Sequence, residues 1–342
     1  MSQPFRLNKE GLINRNKKIS FTFNGKKLFG YEGDTIASAL IANGIHLVGR
    51  SFKYHRPRGF FGAGVEEPNA KLQVEFNGHS EPNVNATEME LVEGLSATSQ
   101  NCWPSVNFDI GAINNFLKMF FPAGFYYKTF MWPKSFWYKI YEPFIRKAAG
   151  LGVASIEKDK ERYEHKFEYC DLLVTGSGPS GLASAYAAAK NGAKVILAED
   201  KPRFGGTLLT DDVSIDNLSG KDWAEKIITE LKSMPNVTVK NRSQVFGYYD
   251  HNMLVMFERV SDHLEKKSKF TPRQRLWYIR AKETILSTGS IERPIVFGNN
   301  DTPGIFLSAA AKEYMKVYGV LVGKKPLIFT NNDSAYETAL EF

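Results

Sequence analysis

Cysteine is scarce in this sequence of 342 residues, which contains only Cys102 and Cys170. The two residues are too far apart in the chain to form a CxxC pair, and no set of four cysteines exists. We therefore expect no disulfide framework, no four-cysteine zinc site and no dithiol redox centre. For the same reason we expect no iron–sulfur cluster held by four cysteines.

Long apolar runs are absent as well. No stretch reaches the roughly 18 consecutive apolar residues that a membrane-spanning helix requires. The N-terminal stretch MSQPFRLNKEGLINRNKK has neither the apolar core nor the small-residue cleavage site of a secretory signal. We therefore predict a cytoplasmic protein without a membrane span.

Positive charge is only slightly in excess, with 44 Lys and Arg against 37 Asp and Glu and a formal net charge of +7. The two candidate basic stretches, residues 266–269 and 53–58, are short and are interpreted as solvated loop faces, so we expect no nucleic-acid partner. The six histidines show no metal-ligand spacing, and HExxH and GxSxG motifs are absent. The sequence therefore predicts no metal site and no catalytic residue.

The first hundred residues have the pattern of a small β-grasp domain. Ile19–Phe23 alternates apolar and polar side chains, and an Asn-Gly pair predicts a hairpin turn before a returning strand at Lys27–Tyr31. Asp34 is in position to cap a helix, and Asn43 with the next glycine closes that helix. A later strand at Lys71–Phe76 completes an order that resembles plant-type ferredoxins.

The cysteines that hold the cluster in such ferredoxins follow the helix. Residues 46–64, which follow the helix here, contain no cysteine. We therefore predict a ferredoxin-like β-grasp domain at residues 1–100 that lacks an iron–sulfur cluster.

Residues 101–168 differ in composition from the sequence on either side. In the segment 116–144, 13 of 29 residues are Phe, Tyr or Trp, and prolines and lysines interrupt it. Such a density of aromatic residues is typical of buried packing or a subunit contact. We predict an aromatic-rich connector over residues 101–168.

A dinucleotide-binding fingerprint lies at residues 171–200, DLLVTGSGPSGLASAYAAAKNGAKVILAED. An apolar strand runs into G-x-G-x-x-G, in which Gly176 permits a tight turn, Gly178 lets the backbone approach a pyrophosphate and Gly181 allows close helix packing. Glu199 ends the following strand, where it can accept hydrogen bonds from an adenosine ribose. Asp200 adds a second negative charge that favours NAD or FAD over NADP.

Two later stretches indicate a flavoprotein-like domain over residues 169–342. A second glycine-rich turn includes Gly206 and Thr207, and an apolar strand ends in Thr288 and Gly289. Together with the fingerprint they resemble the two-dinucleotide flavoprotein superfamily, an α/β fold with a mostly parallel sheet.

Residues 326–342 have the pattern of the opening strand, turn and helix of that superfamily's inserted second Rossmann unit. Their turn, residues 330–335, contains no glycine, so we expect no ordinary second cofactor there. The sequence predicts a Rossmann-like domain that is incomplete at its C-terminal end.

Several passages resemble the alpha subunit of heterotetrameric sarcosine oxidase, which is related to subunits of opine oxidase and hydrogen cyanide synthase. These passages cover most of the chain in the order of that family. They are GDTIASALIANG (33–44), GRSFKYHRPRGF (49–60), EEPNA (66–70), AGFYYKTFMWP (123–133), IRKAAGLG (145–152), the fingerprint, and FTNNDSAYETAL (329–340).

The resemblance implies NAD at the fingerprint, with FAD as the alternative at the same site. It also implies that a flavin-containing complex oxidises sarcosine and passes the one-carbon unit to tetrahydrofolate. That chemistry belongs to a folate-binding part of alpha and to a beta subunit that carries a flavin. The family's cofactor contacts correspond here to Ser180, Glu199, Asp200, Lys201, Thr207 and Val245.

We therefore expect the NAD-binding N-terminal part of an oxidoreductase subunit, without catalytic residues of its own and with other subunits as partners. Two alternatives stay open. One is an FAD-dependent subunit of the opine oxidase or hydrogen cyanide synthase type, and the other is a non-catalytic scaffold that docks partner subunits.

Overall fold

The structure is a computed structural model, and it describes residues 2–121, 124 and 130–342. The chain divides into two compact units. One is formed by Met1–Asp159 together with Glu292–Phe342, and the other by Lys160–Ile291. The domain boundaries predicted at residues 100 and 168 stay predictions.

The first unit contains a five-stranded mixed sheet with strand order β2-β1-β7-β5-β6. Strands β1 and β7 are parallel, and the other neighbouring pairs are antiparallel. The strands are β1 (Asn14–Phe23), β2 (Lys26–Glu32), β5 (Lys71–Phe76), β6 (His79–Asn85) and β7 (Ser96–Ser99), with a separate pair β3 (Gly49–Arg50) and β4 (Pro57–Arg58). The predicted hairpin and the predicted strand at Lys71–Phe76 are confirmed.

Helix α1 (Ile36–Ala42) packs against β2, and all seven of its residues are buried. The prediction that Asp34 caps it is wrong. Thr35 is the N-cap, because its side chain accepts the Ser38 N–H while the Ser38 hydroxyl accepts the Thr35 N–H. Asp34 is buried instead beside Arg6, whose guanidinium donates to both carboxylate oxygens at 3.0 and 2.7 Å.

Short helices follow the sheet in the first unit. They are α2 (Ile113–Phe116), α3 (Glu142–Ala148), α6 (Ser308–Lys316) and α7 (Ser334–Glu341), with 3₁₀ turns at Ile110–Ala112, Lys118–Phe120 and Lys134–Phe136 and a π-helical turn at Trp137–Tyr141. Part of the predicted aromatic connector, at residues 122, 123 and 125–129, lies outside the described residues.

The segment after residue 291 packs against the N-terminal part of the first unit. The Tyr314 hydroxyl donates to the Gly62 carbonyl at 3.0 Å, and the Leu307 N–H donates to the Phe61 carbonyl at 2.9 Å. Of the strand, turn and helix predicted from residue 326 onward, the helix is present as α7, whereas residues 326–330 form no strand. A strand requires a hydrogen-bonded neighbour, and these residues have none among those that the structure describes.

The second unit contains a six-stranded sheet with strand order β12-β9-β8-β15-β14-β13. The first four strands are parallel, and β13, β14 and the outer part of β15 form an antiparallel meander. The strands are β8 (Tyr163–Thr175), β9 (Val195–Ala198), β12 (Val237–Lys240), β13 (Ser243–Tyr249), β14 (Met253–Arg259) and β15 (Gln274–Leu286). A short pair, β10 (Ser214–Ile215) and β11 (Leu218–Ser219), lies apart, and 3₁₀ turns occur at Gly206–Leu209 and Asp250–Asn252.

Two helices cover one face of this sheet, α4 (Pro179–Lys190) and α5 (Gly220–Ser233). Their apolar side chains form one core with β8 and β9, which includes Leu182, Leu197 and Leu231. A second core on the other face includes Leu173, Ile196 and Leu254. Both faces of β8 and β9 are thus buried, which explains their continuous apolar sequence. The predicted α/β class, with a ferredoxin-like domain before a Rossmann-like one, is confirmed.

No helix within residues 2–121 and 130–342 is long and apolar enough to cross a membrane.

Candidate functional site

The turn from β8 to α4 contains the fingerprint, and its backbone requires glycine at two positions. Gly176 has φ +95°, and a Cβ atom there would lie 2.2 Å from the carbonyl oxygen of Ser287. At Gly181 a Cβ atom would lie 2.0 Å from the Gly176 carbonyl oxygen. Both separations are below any real van der Waals contact, so only glycine allows β8, β15 and α4 to meet here.

Gly178 differs from the other two fingerprint glycines because it faces open space. A Cβ atom at this position would have no heavy atom within 4 Å. Its φ of −65° and ψ of −177° are also open to other residues, so the fold itself does not require glycine. Gly178 is the N-cap of α4, whose first-turn N–H groups and dipole favour an anion at this end.

Ser177 and Glu199 connect the fingerprint turn to the end of β9. Ser177 is fully buried and Glu199 is 6% exposed. One Glu199 carboxylate oxygen accepts both the Ser177 N–H at 2.9 Å and the Ser177 hydroxyl at 2.5 Å. The other oxygen accepts the Lys201 N–H at 3.1 Å. The acid predicted for the ribose is therefore fixed against the glycine turn.

Burial raises the pKa of Glu199 to about 7, and a hydrogen bond with the Asp200 carboxyl acts in the same direction. The hydrogen bonds from Ser177 and Lys201 act in the opposite direction, because they stabilise the ionised carboxylate. Glu199 is therefore an acid that changes charge near neutral pH, unlike an ordinary exposed glutamate.

The second glycine-rich turn lies against the first. The Gly205 N–H donates to both the carbonyl and the hydroxyl oxygen of Ser177, each at 3.1 Å. Gly206 has φ +54°, and a Cβ atom on it would lie 2.9 Å from the Gly178 Cα atom. Thr207 follows and is exposed. The two glycine-rich turns that the sequence predicts to approach one ligand are thus adjacent.

The end of β15 closes the third side of the turn. The Ser287 N–H donates to the Thr175 carbonyl at 2.8 Å, which keeps β15 paired with β8 up to the fingerprint. Thr288 and Gly289 come next and are exposed, and Gly289 has φ +70°. The predicted Thr-Gly strand end therefore begins beside Gly176.

The other residues predicted to contact the cofactor lie on α4, after β9 and on β13. Ser180 is exposed in the first turn of α4, and Asp200 and Lys201 are half-buried just after β9. Val245 lies on β13 and packs against the core that includes Leu173 and Ile196. Its described contacts are therefore those of a core residue.

Sequence reasoning missed Ser177, which the structure puts at the centre of the turn. It occupies a variable position of G-x-G-x-x-G, so the motif itself gives no signal for it. A usable signal would have been a small hydroxyl residue 22 positions before an acid that ends the next strand. The contribution of Ser287 was missed in the same way, because it precedes the Thr-Gly pair.

The basic loop at residues 53–58 is held by ion pairs within the first unit. Arg56 and Arg58 both bind the Asp301 carboxylate, at 2.7 and 2.6 Å. His55 Nδ1 lies 2.6 Å from an Asp109 carboxylate oxygen. These contacts fit the interpretation of this stretch as a packed loop.

Two known families match the chain. Residues 16–102 match the family described as a 2Fe-2S iron–sulfur cluster binding domain, and residues 171–254 match the family described as FAD dependent oxidoreductase. The second match contains the fingerprint, Glu199, the second glycine turn and Val245. The prediction of NAD as the primary cofactor is therefore wrong: the families point to FAD, and the first of them also describes an iron–sulfur cluster.

The iron–sulfur cluster implied by the first family can be tested against the residues present. A 2Fe-2S cluster takes four cysteine ligands in its usual form. Cys102 is the single cysteine in the matched range, and Cys170 is buried in the core of the second unit, where burial raises its pKa to about 12. No group of three or more Cys, His, Asp or Glu suited to a metal occurs among the described residues. The residues present therefore do not fit a 2Fe-2S cluster.

The architecture has a counterpart among solved structures. The L-proline dehydrogenase of P. horikoshii superposes with a TM-score of 0.60 at 22% identity, over 94% of this chain and 50% of that one. At this identity the likeness shows the fold alone.

Homologous sequences carry the comparison further. The alpha subunit of sarcosine oxidase from Rhizobium meliloti is 53% identical over 337 residues, which are 98% of this chain and 34% of the relative. One subunit of the opine oxidase of Agrobacterium tumefaciens is 27% identical over 174 residues, which are 47% of this chain and 33% of the relative. The chain thus spans about a third of the length of these relatives. Over nearly all of its own length the chain is similar to the alpha subunit of sarcosine oxidase.

Proposed function

We propose that the second unit binds the adenosine diphosphate part of FAD at the fingerprint turn. The observation that carries this proposal is the open space at Gly178, the N-cap of α4, next to the second glycine turn at Gly206. A pyrophosphate requires a backbone that it can approach closely and N–H groups that point toward it, and this turn offers both.

Each group around the turn has a role in this proposal. The N–H groups at the start of α4 bind the phosphate oxygens, and Glu199 accepts hydrogen bonds from the ribose hydroxyls. Ser180, Thr207, Thr288 and Gly289 are exposed polar or flexible positions around the turn and provide further contacts. Asp200 and Lys201 adjust the charge beside the ribose. When bound, FAD supplies the electron-accepting chemistry, and this chain holds and orients it.

We further propose that the chain acts within a hetero-oligomeric amine oxidase whose substrate is sarcosine. The support is the 53% identity to the alpha subunit of a sarcosine oxidase, against 27% to an opine oxidase subunit. A transfer of the one-carbon unit to tetrahydrofolate, by parts outside this chain, and a beta subunit that carries a flavin complete that proposal. The cytoplasmic location stays a prediction.

The test is flavin binding by the full chain, measured by isothermal calorimetry and by the change in flavin fluorescence. Gly178→Ala adds a methyl group where the fold has room, so the protein should stay folded while the pyrophosphate is obstructed. We expect at least a tenfold loss of FAD affinity, about 1.4 kcal/mol. Gly298→Ala is the matched control, because a Cβ atom there also meets no heavy atom within 4 Å.

Two results would contradict the proposal. The first is a folded chain that binds no flavin. The second is equal FAD affinity for Gly178→Ala and the unchanged protein, which would mean that the flavin binds elsewhere.

A further inference from the structure

Ser177 has all of its hydrogen-bonding groups engaged, although the motif leaves its position variable. Its hydroxyl and its N–H both donate to one oxygen of Glu199, at 2.5 and 2.9 Å. Its hydroxyl and its carbonyl both accept from the Gly205 N–H, at 3.1 Å. The side chain is fully buried, so solvent cannot compete for these partners.

These contacts have a direction. A serine hydroxyl carries one proton, and the Gly205 N–H can only donate to it. The Ser177 proton must therefore point at Glu199, which makes a chain of donors from Gly205 through Ser177 to the carboxylate. Such a chain requires an acceptor at its end, and an ionised carboxylate is the strongest one available.

Other charged groups also lie near the end of β9. Asp200 is the neighbouring acid, and its hydrogen bond with Glu199 favours the protonated form. From the following loop, the Lys201 backbone N–H donates to the second carboxylate oxygen. From β14, the Arg259 guanidinium donates to the Asp200 backbone carbonyl at 3.2 Å. The Lys240 ammonium of β12 binds Glu258 at 3.1 Å.

We propose that Ser177 is a positioning residue for the cofactor site: it orients the Glu199 carboxylate, favours its ionised form, and locks the second glycine turn to the first. This inference rests on the proposed binding of FAD at the turn. It assigns a role to a residue of this chain that the fingerprint motif does not specify.

The pH dependence of FAD affinity distinguishes this role from a merely structural one. The ribose hydroxyls donate to an ionised Glu199, so affinity should fall as pH drops through about 7 in the unchanged protein. Ser177→Ala removes a donor to the carboxylate, so its pKa rises and the midpoint of the affinity loss moves to higher pH. At pH 8 we expect the Kd of Ser177→Ala for FAD to be about tenfold higher than that of the unchanged protein. This is the usual effect of losing one hydrogen bond to a charged group.

Four further variants complete the experiment. Ser177→Thr keeps the hydroxyl and should keep the midpoint of the unchanged protein. The FAD affinity of Glu199→Gln should show no midpoint near pH 7. The double variant, Ser177→Ala with Glu199→Gln, should have the same pH profile of FAD affinity as Glu199→Gln alone. Ser184→Ala is the matched control, because this half-buried serine on α4 donates to the Ser180 carbonyl and leaves Glu199 untouched.

The outcomes distinguish a failure of the proposed role of Ser177 from a failure of the proposed FAD binding. If the unchanged chain binds no FAD, both fail. If it binds FAD and Ser177→Ala keeps the same affinity and the same midpoint, only the role of Ser177 is overturned. A midpoint that moves equally in Ser177→Thr and Ser177→Ala would also overturn that role, since the hydroxyl would then be irrelevant.

Discussion

Glu199 connects ligand binding and stability at the scale of a single residue. Its pKa of about 7 in the folded chain is above that of an unfolded glutamate, about 4.3. A raised folded pKa means that the group's stabilising contribution is complete below the unfolded value and is lost as pH rises through about 7. The chain without cofactor should therefore become less stable between pH 5 and pH 8.

The variant Glu199→Gln tests whether Glu199 causes this loss of stability. Its amide does not titrate in this range, so the difference in free energy of unfolding between pH 5 and pH 8 should shrink relative to the unchanged chain. Urea unfolding at both pH values measures it. An unchanged difference in Glu199→Gln would mean that other groups cause the pH dependence.

Glu67 is a second buried acid, and its role is to organise a loop. Its carboxylate accepts four backbone N–H groups, from Phe61, Gly62, Asn69 and Ala70, at 2.6 to 3.2 Å. The Glu67→Gln side chain would turn an NH₂ group toward two of these donors. Leaving buried donors unpaired costs about 1–3 kcal/mol each, so we expect a loss of unfolding free energy of at least that size.

The control for Glu67→Gln is Glu75→Gln, since Glu75 is an exposed acid on β5. Its substitution should change the unfolding free energy by less than about 0.5 kcal/mol. Equal effects of the two substitutions in chemical denaturation would contradict the role of Glu67.

The fingerprint glycines show what sequence can reveal about single residues. Gly176 and Gly181 were predicted to be required for the turn and for helix packing, and the Cβ separations of 2.2 and 2.0 Å agree. These roles follow from local backbone geometry, which a motif records. Ser177 could not be predicted, because its partners Glu199 and Gly205 are distant in sequence and meet only in the fold.

Between elements, the ion pairs of Asp301 hold the β3–β4 loop to the segment that precedes α6. Its hydrogen bond with Arg56, and then the charge of Arg58, lower the pKa of Asp301 to about 2. A lowered carboxyl pKa gives stability that is present above the unfolded value of about 3.9 and is lost as pH falls toward 2. Asp301→Asn should remove this dependence and cost about 1 kcal/mol at neutral pH, because the site is partly exposed.

Thermal unfolding at pH 7 and pH 3 measures the effect of Asp301→Asn. Asp333→Asn is the control, because Asp333 is exposed and its side chain makes no capping hydrogen bond to α7. A loss of stability in Asp301→Asn that is equal at both pH values would point to altered packing rather than to the lost ion pairs.

Elements were predictable where their cause is local. The hairpin of β1 and β2 and the strand β5 follow from alternation and turn residues. The cap of α1 is Thr35 and not the predicted Asp34, since both are good capping residues and the distant Arg6 engages the Asp34 carboxylate. Residues 326–330 have a strand's composition, but pairing depends on a neighbour that composition does not show.

At the scale of the molecule, the error over the cofactor has a physical cause. NAD and FAD share an adenosine diphosphate, and the fingerprint, Glu199 and the second glycine turn all concern that shared part. None of these features distinguishes a nicotinamide from an isoalloxazine ring. The sequence could therefore predict a dinucleotide, whereas the choice between the two came from the family of residues 171–254.

The division of the chain also constrains the order in which its parts can fold. Lys160–Ile291 is continuous, whereas the other unit is split between Met1–Asp159 and Glu292–Phe342. During synthesis the residues of the continuous unit are all present before Arg6 can meet the Tyr318 carbonyl, its hydrogen-bond partner 312 positions later. The contacts of the first unit with its C-terminal part can therefore form only after the residues of the second unit have been synthesised.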